Sequence, residues 1–232
     1  MADTDAASVS NAHEAEQASK LVEHDIAVLG PLLNDLGVSD EIQLVDRFKR
    51  QFSDYRVVDK NILELAVENT NIKAQQLSFG AAREAADRFK SALAQVLPSL
   101  TASERCHAEG LVAGAVQNVR ELQTLHAPHI ASADDAAMTR MEQEITGLEV
   151  NTANALKALQ SLVPPSGLAE AQSAFDRFKG VESQIIALSR KNTNVVSLDL
   201  SLRVKPPLTT ACDDSLRILQ TELSNEGSKA TR

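Results

Sequence analysis

The stretch from Phe52 to Ser78 recurs at Phe175 to Ser201, 123 positions later, with nine of its twenty-seven residues identical. The shared residues are Phe52/Phe175, Val58/Val181, Ile62/Ile185, Leu65/Leu188, the tripeptides Asn69-Thr70-Asn71 and Asn192-Thr193-Asn194, Leu77/Leu200 and Ser78/Ser201. Chance at average residue usage gives roughly two. The chain therefore reads as a duplicated module of about a hundred residues per copy, and two copies are too few to stack into a solenoid.

The spacing inside the repeat is helical. Phe48, Tyr55, Ile62, Asn69 and Gln76 fall seven apart, with Val58, Leu65, Ile72 and Phe79 as a second row. The later copy gives Phe178, Ile185, Asn192 and Asp199 beside Val181, Leu188, Val195 and Leu202. Such rows lay one apolar stripe along a helix and suit knobs-into-holes packing, whereas a strand would alternate. Each predicted helix runs close to forty residues, roughly 55–60 Å at ~1.5 Å per residue. The expected fold is all-α: an elongated antiparallel helical bundle made of two stacked modules. Asn69 and Gln76, then Asn192 and Asp199, interrupt the stripe. Either these polar seam residues fix register and helix number, or they mark a hydrated zone that a small polar ligand enters. On the ligand reading, Leu at Asn69 or Asn192 stabilises the bundle yet weakens the ligand response.

Boundaries follow from local signals. Residues 1–10 are small and polar and read as a disordered tail, 11–130 as the first module, 131–225 as the second and 226–232 as a linker. Gly30-Pro31 predicts a kink, Gly37 a helix end, and Gly80 and Pro206-Pro207 breaks at comparable places in the two copies. Thr101 to Glu104 is a capping box, Ser166 a candidate cap for the second long helix, and residues 126–133 the expected junction.

Composition narrows the partners. A net charge of −9 and a pI near 5.1 make nucleic acid and anionic membrane surfaces poor ones. Hydrophobic content of 43% is enough for a core, and 3% aromatic content without Trp points to Ala, Leu and Val between close helices. No run of eighteen apolar residues spans a bilayer, and Met1 to Asp5 lack the features of a secretory signal. Cys106 and Cys212 fall in predicted helices and read as buried free thiols.

Chemical signatures are sparse. Glu104 and His107 have the spacing of one half of a di-iron site, but no second Glu-x-x-His exists. His126 and His129 flank Pro128 and read as a turn, and His13 and His24 lie too far apart for one ion. There is no glycine-rich phosphate loop, no nucleophile elbow and no cofactor signature, so neither catalysis nor a cofactor is expected. Arg47, Lys49, Arg50 and Arg56 cluster on the first long helix, with Arg83 and Arg88 beyond its break. They are solvated helix faces, or an Arg among them grips a carboxylate together with Thr70 or Asn71.

Leu188-Ser-Arg-Lys-Asn-Thr-Asn-Val-Val-Ser-Leu-Asp-Leu-Ser-Leu202 and Thr209-Thr-Ala-Cys-Asp-Asp-Ser-Leu216 resemble helical sensor regions of bacterial methyl-accepting chemotaxis receptors. Glu64-Leu-Ala-Val-Glu-Asn-Thr-Asn-Ile-Lys-Ala-Gln-Gln-Leu-Ser-Phe79 looks like an earlier copy. The likeness covers about half of the chain. It implies a periplasmic ligand-sensing domain held to the inner membrane by flanking helices, forming a homodimer and signalling by helix displacement. The ligand implied is a small polar or anionic metabolite, a carboxylate among them; the polar-zone and arginine readings, not the resemblance, put its contacts at Asn69, Thr70, Asn71, Arg50, Arg83, Asn192 and Asn194. This chain carries no membrane helices, adaptor region or kinase-coupling hairpin. The competing expectation is a structural or protein-interaction bundle with no small ligand.

Overall fold

A computed structural model describes residues 5–230, and every element among them is helical. The helices are α1 (Asp5–Leu36), α2 (Ser39–Glu68), α3 (Thr70–Leu77), α4 (Arg83–Val96), α5 (Ala102–Ala131), α6 (Asp135–Leu159), α7 (Pro165–Lys191), α8 (Thr193–Asp199) and α9 (Lys205–Ala230). A π-helix at Ser78–Ala82 joins α3 to α4, and a second at Leu200–Val204 joins α8 to α9. Among the described residues no helix is long and apolar enough to cross a membrane.

The chain divides into two compact units that are not consecutive in sequence. One comprises Met1–Asn69 with Val196–Arg232, the other Thr70–Val195. In the first unit α2 packs against both α1 and α9. Its apolar centre is Leu33, Val45 and Leu219, with Ile26, Leu29, Ile42 and Leu223 against them. Gly37 ends α1 at φ +71°, a left-handed turn that an L side chain resists.

The second unit is a helical bundle in which α3, the first π-helix and α4 pack on α7, and α5 packs on α6. Phe89, Phe175, Phe178, Leu93, Leu122, Leu156, Leu159 and Ile185 fill its core. Ala74, Ala82, Ala85, Ala108, Ala115 and Ala171 are fully covered. Alanine at such positions lets helix axes approach closely, while three phenylalanines supply the bulk. At the head of α5, Thr101 accepts from the Glu104 amide at 3.4 Å and the Glu104 carboxylate accepts from the Thr101 amide at 3.1 Å, closing the capping box.

Several local expectations are corrected. Residues 5–10 belong to α1 and 226–230 to α9, while residues 1–4 and 231–232 lie outside the described residues. The long helices are not continuous, since α2 ends before Asn69 and α7 before Asn192. Residues 126–131 continue α5, because Pro128 sits in its final turn, where its missing amide removes one bond only. The second long helix opens on Pro165 rather than under a Ser166 cap. Cys106 is exposed; only Cys212 is a buried free thiol.

Candidate functional site

Asn69 and Asn192 are the only non-glycine residues with positive φ among those described, at φ 56°, ψ 39° and φ 53°, ψ 32°. Asparagine tolerates the left-handed region better than other side chains, so each ends one helix and lets the next restart a residue later. In the second unit the residues that follow face their counterparts 123 positions away. Thr70 donates its amide to Thr193 Oγ1 at 3.0 Å, and Thr193 donates its amide to Thr70 Oγ1 at 3.2 Å. Asn71 N donates to Asn194 Oδ1 at 3.1 Å and Asn194 N to Asn71 Oδ1, also at 3.1 Å. Each tripeptide thus supplies the first amides of the opposite helix with side-chain acceptors, the role an N-cap usually fills within its own helix.

Further bonds tie the two tripeptides to each other and to the end of α5. Asn71 Nδ2 donates to the Ile130 carbonyl at 2.6 Å and to Asn192 Oδ1 at 2.8 Å, while Asn192 Nδ2 donates to the Ser132 carbonyl at 2.7 Å. Thr70, Thr193, Asn71 and Asn194 are all buried. A buried amide or carbonyl left without a partner costs about 1–3 kcal/mol, so the reciprocal set resists sliding of either helix by less than a full register step.

Beside this lock, α5, α6 and α7 bury a second polar layer. His126 stacks on Phe178 with ring centroids 6.1 Å apart. Its Nδ1 meets Ser78 Oγ of the first π-helix at 2.9 Å, and its Nε2 meets Glu182 Oε1 at 3.3 Å. Burial pulls the ring down to about 4, so it is neutral at ordinary pH. Burial also pushes the Glu182 carboxyl up to about 7, and burial together with Glu182 does the same to Glu149 on α6. Glu182 Oε2 is buried with no hydrogen-bond partner, as a protonated carboxyl tolerates better than a charged one. The connectivity Ser78–His126–Glu182 is that of a nucleophile relay, but a ring held near 4 is a weak base at neutral pH.

One turn on, Ser189 Oγ donates to the His129 carbonyl at 2.8 Å and therefore accepts from His129 Nδ1, also at 2.8 Å. His129 Nε2 faces Glu142 Oε1 at 3.0 Å. Arg190 closes the layer from α7, with Nε at 2.6 Å from Glu142 Oε1 and Nη1 at 3.2 Å from Asp135 Oδ1. Arg190, more than any other neighbour, holds the Glu142 carboxyl below the usual carboxylate range. Among the described residues no three His, Cys, Asp or Glu side chains are placed to hold a metal ion.

No family model, curated protein or solved structure matches this chain. Its site is therefore read from its own geometry.

Of the residues singled out by sequence, Thr70, Asn71, Asn192 and Asn194 come together in the second unit, and Asn69 ends α2 just before them. Arg50 lines a cleft of the first unit among Asp40, Glu41, Asp46 and Glu222. Arg83 is an exposed residue at the start of α4. His126, His129, Glu142, Glu182 and Arg190 were missed as a set. A signal for one of them existed, because the 123-residue shift pairs Glu182 with Asp59, an acid on an otherwise apolar stripe at both places. Both are buried, and Asp59 Oδ1 accepts from Lys205 Nζ at 2.6 Å in the first unit.

Proposed function

We propose that this chain is the ligand-sensing helical domain of a chemotaxis-type signal transducer, working by displacement of helices against one another. The observation that carries the reading is the reciprocal lock between Thr70-Asn71 and Thr193-Asn194. It gives two broken helices one shared register, set by bonds that form together or fail together. Packed helices with discrete registers are what a small ligand biases when it binds one arrangement better than another. The proposal includes an internal duplication, with the two tripeptides as equivalent elements related by a local two-fold. It also places the domain on the periplasmic face of the inner membrane, attached through flanking helices of a larger receptor.

A second reading is a structural or protein-interaction bundle without a small ligand. The complete mutual satisfaction of the Asn-Thr-Asn groups favours it, since those groups already have partners. Thermal unfolding across a panel of carboxylates, amino acids and organic amines separates the two. A ligand at ~100 times its dissociation constant adds about 2.7 kcal/mol, on the order of 5–10 °C in midpoint. A shift confined to one chemical class supports the sensor, and a flat response to every compound supports the bundle.

A further inference from the structure

In the first unit, α1, α2 and α9 leave an open groove of about 300 Å³ between them. Its floor is a run of aromatic rings along α2. Phe48 and Phe52 stack with centroids 5.6 Å apart, and Phe52 and Tyr55 with centroids 5.7 Å apart. Ala15, Ala18, Ser19 and Val22 of α1 form one wall, short side chains that keep the groove open. Thr209, Cys212, Asp213 and Leu216 of α9 form the other.

The 123-residue shift places Phe52 and Tyr55 opposite Phe175 and Phe178. In the second unit both of those rings are buried. Phe89 lies 5.6 Å from Phe175, and the His126 ring lies 6.1 Å from Phe178. In the first unit the matching rings face the groove and are only half-buried.

The groove's own lining carries acid rather than base. Among the described residues, Asp213 is the one charged residue lining the groove. Asp54 and Asp213 both act on the Cys212 thiol, which places a second carboxylate within electrostatic reach of the same wall. The cations nearby are already paired, Lys205 with Asp59 at 2.6 Å and Arg56 with Glu16 at 2.8 Å. The Tyr55 ring already carries an ammonium, with Lys205 Nζ 5.1 Å from its centroid.

We infer that the groove between α1, α2 and α9 binds a small organic cation with an apolar body, such as an aryl- or alkylammonium ion. The rings of Phe48, Phe52 and Tyr55 take the apolar part, and Asp213 supplies the counter-charge. A groove of this size with apolar walls and a single charged group has the usual make-up of a small-molecule site. The ligand class is thus cationic, in contrast to the carboxylate that the arginine pattern suggested. The inference deepens the sensor reading and rests on it only for signalling, because binding to the groove stands or falls separately.

The test uses the chain's own fluorophore. With one Tyr and no Trp, tyrosine emission reports on Tyr55 alone. The full chain is titrated with benzyltrimethylammonium, with benzyl alcohol and phenylacetate as neutral and anionic counterparts. The expected result is a saturable change in Tyr55 emission with the cation only. Asp213→Asn, an exposed change on α9 that leaves folding intact, weakens it about two- to fivefold. Phe52→Leu weakens it by a similar factor. Equal response to the neutral or anionic compound overturns the inference, as does an unaltered Asp213→Asn titration. So does Tyr55 emission that varies with protein concentration alone, which would make a second copy the occupant. The absence of any response to the cation rejects the site while leaving the sensor reading to its own ligand panel.

Discussion

Replacing Glu182 with Gln removes a buried ionisable group while keeping its shape and its approach to His126. Burial raises the folded-state carboxyl to about 7 from an ordinary 4.5. A raised carboxyl binds more protons folded than unfolded, so stability falls as pH rises between those two values and stays low above them. The separation corresponds to about 3 kcal/mol of destabilisation at full ionisation. His126 slopes the other way. Its ring is lowered to about 4 from 6.5, so its contribution is intact above 6.5 and is lost as pH falls toward 4. In the native chain the two slopes oppose each other across the overlap. Glu182→Gln removes one of them. Thermal melts by circular dichroism across about pH 4 to 8 should show variant and native chain matching at the acid end. Their separation should grow steadily, with the variant the more stable by about 3 kcal/mol near pH 8, on the order of 10 °C in midpoint. A separation that does not change with pH, or a variant that is less stable at the alkaline end, would refute the reasoning.

Thr70→Val and Thr193→Val should each cost about 1–3 kcal/mol by stranding a buried amide, and the double variant should lose clearly less than the sum in denaturant unfolding. Asn69 and Asn192 sit in left-handed backbone, so Leu at either should destabilise by about 1–2 kcal/mol from backbone strain alone, reversing the sign expected on the ligand reading. Gly at Asn69 should be milder than Leu, as urea midpoints will report. Lys205→Met leaves the buried Asp59 carboxylate without its ammonium and should cost about 3–5 kcal/mol, with Lys205→Met/Asp59→Leu recovering much of it. A thiol reagent should modify Cys106 fast and Cys212 slowly, because Cys212 is buried and its thiol is pushed above the ordinary range.

The helical class was legible because the 3,4 spacing of Phe48 to Phe79 admits nothing else. So was the capping box at Thr101, whose chemistry is local. The tripeptides stood out for a sound reason, but their role did not. A left-handed Asn and a seam Asn have the same letter and the same heptad position, and only the backbone angle separates them. The His126 and His129 layer was hidden by Pro128, which read as a turn although a helix tolerates proline in its last turn. Burial of those rings depends on α6 and α7 being brought against α5, which no local window encodes. The groove escaped for the converse reason. Phe52 and Tyr55 share their pattern with Phe175 and Phe178, and what differs is which helices cover them.

The two π-helices, Ser78–Ala82 and Leu200–Val204, bear on how this chain tolerates changes in length. A wider turn of this kind holds one residue more than the α-helical path between its ends requires. Each residue added to or removed from a regular helix turns everything beyond it by about 100°. Deleting a residue inside Ser78–Ala82 would tighten the turn into ordinary helix and leave Phe89 and Leu93 on the face they now present. The same deletion inside α2 would rotate Tyr55 and Asp59 off theirs. Each π-helix is therefore a slack link in the chain's angular phase, and single-residue deletions should survive there and at few other helical positions.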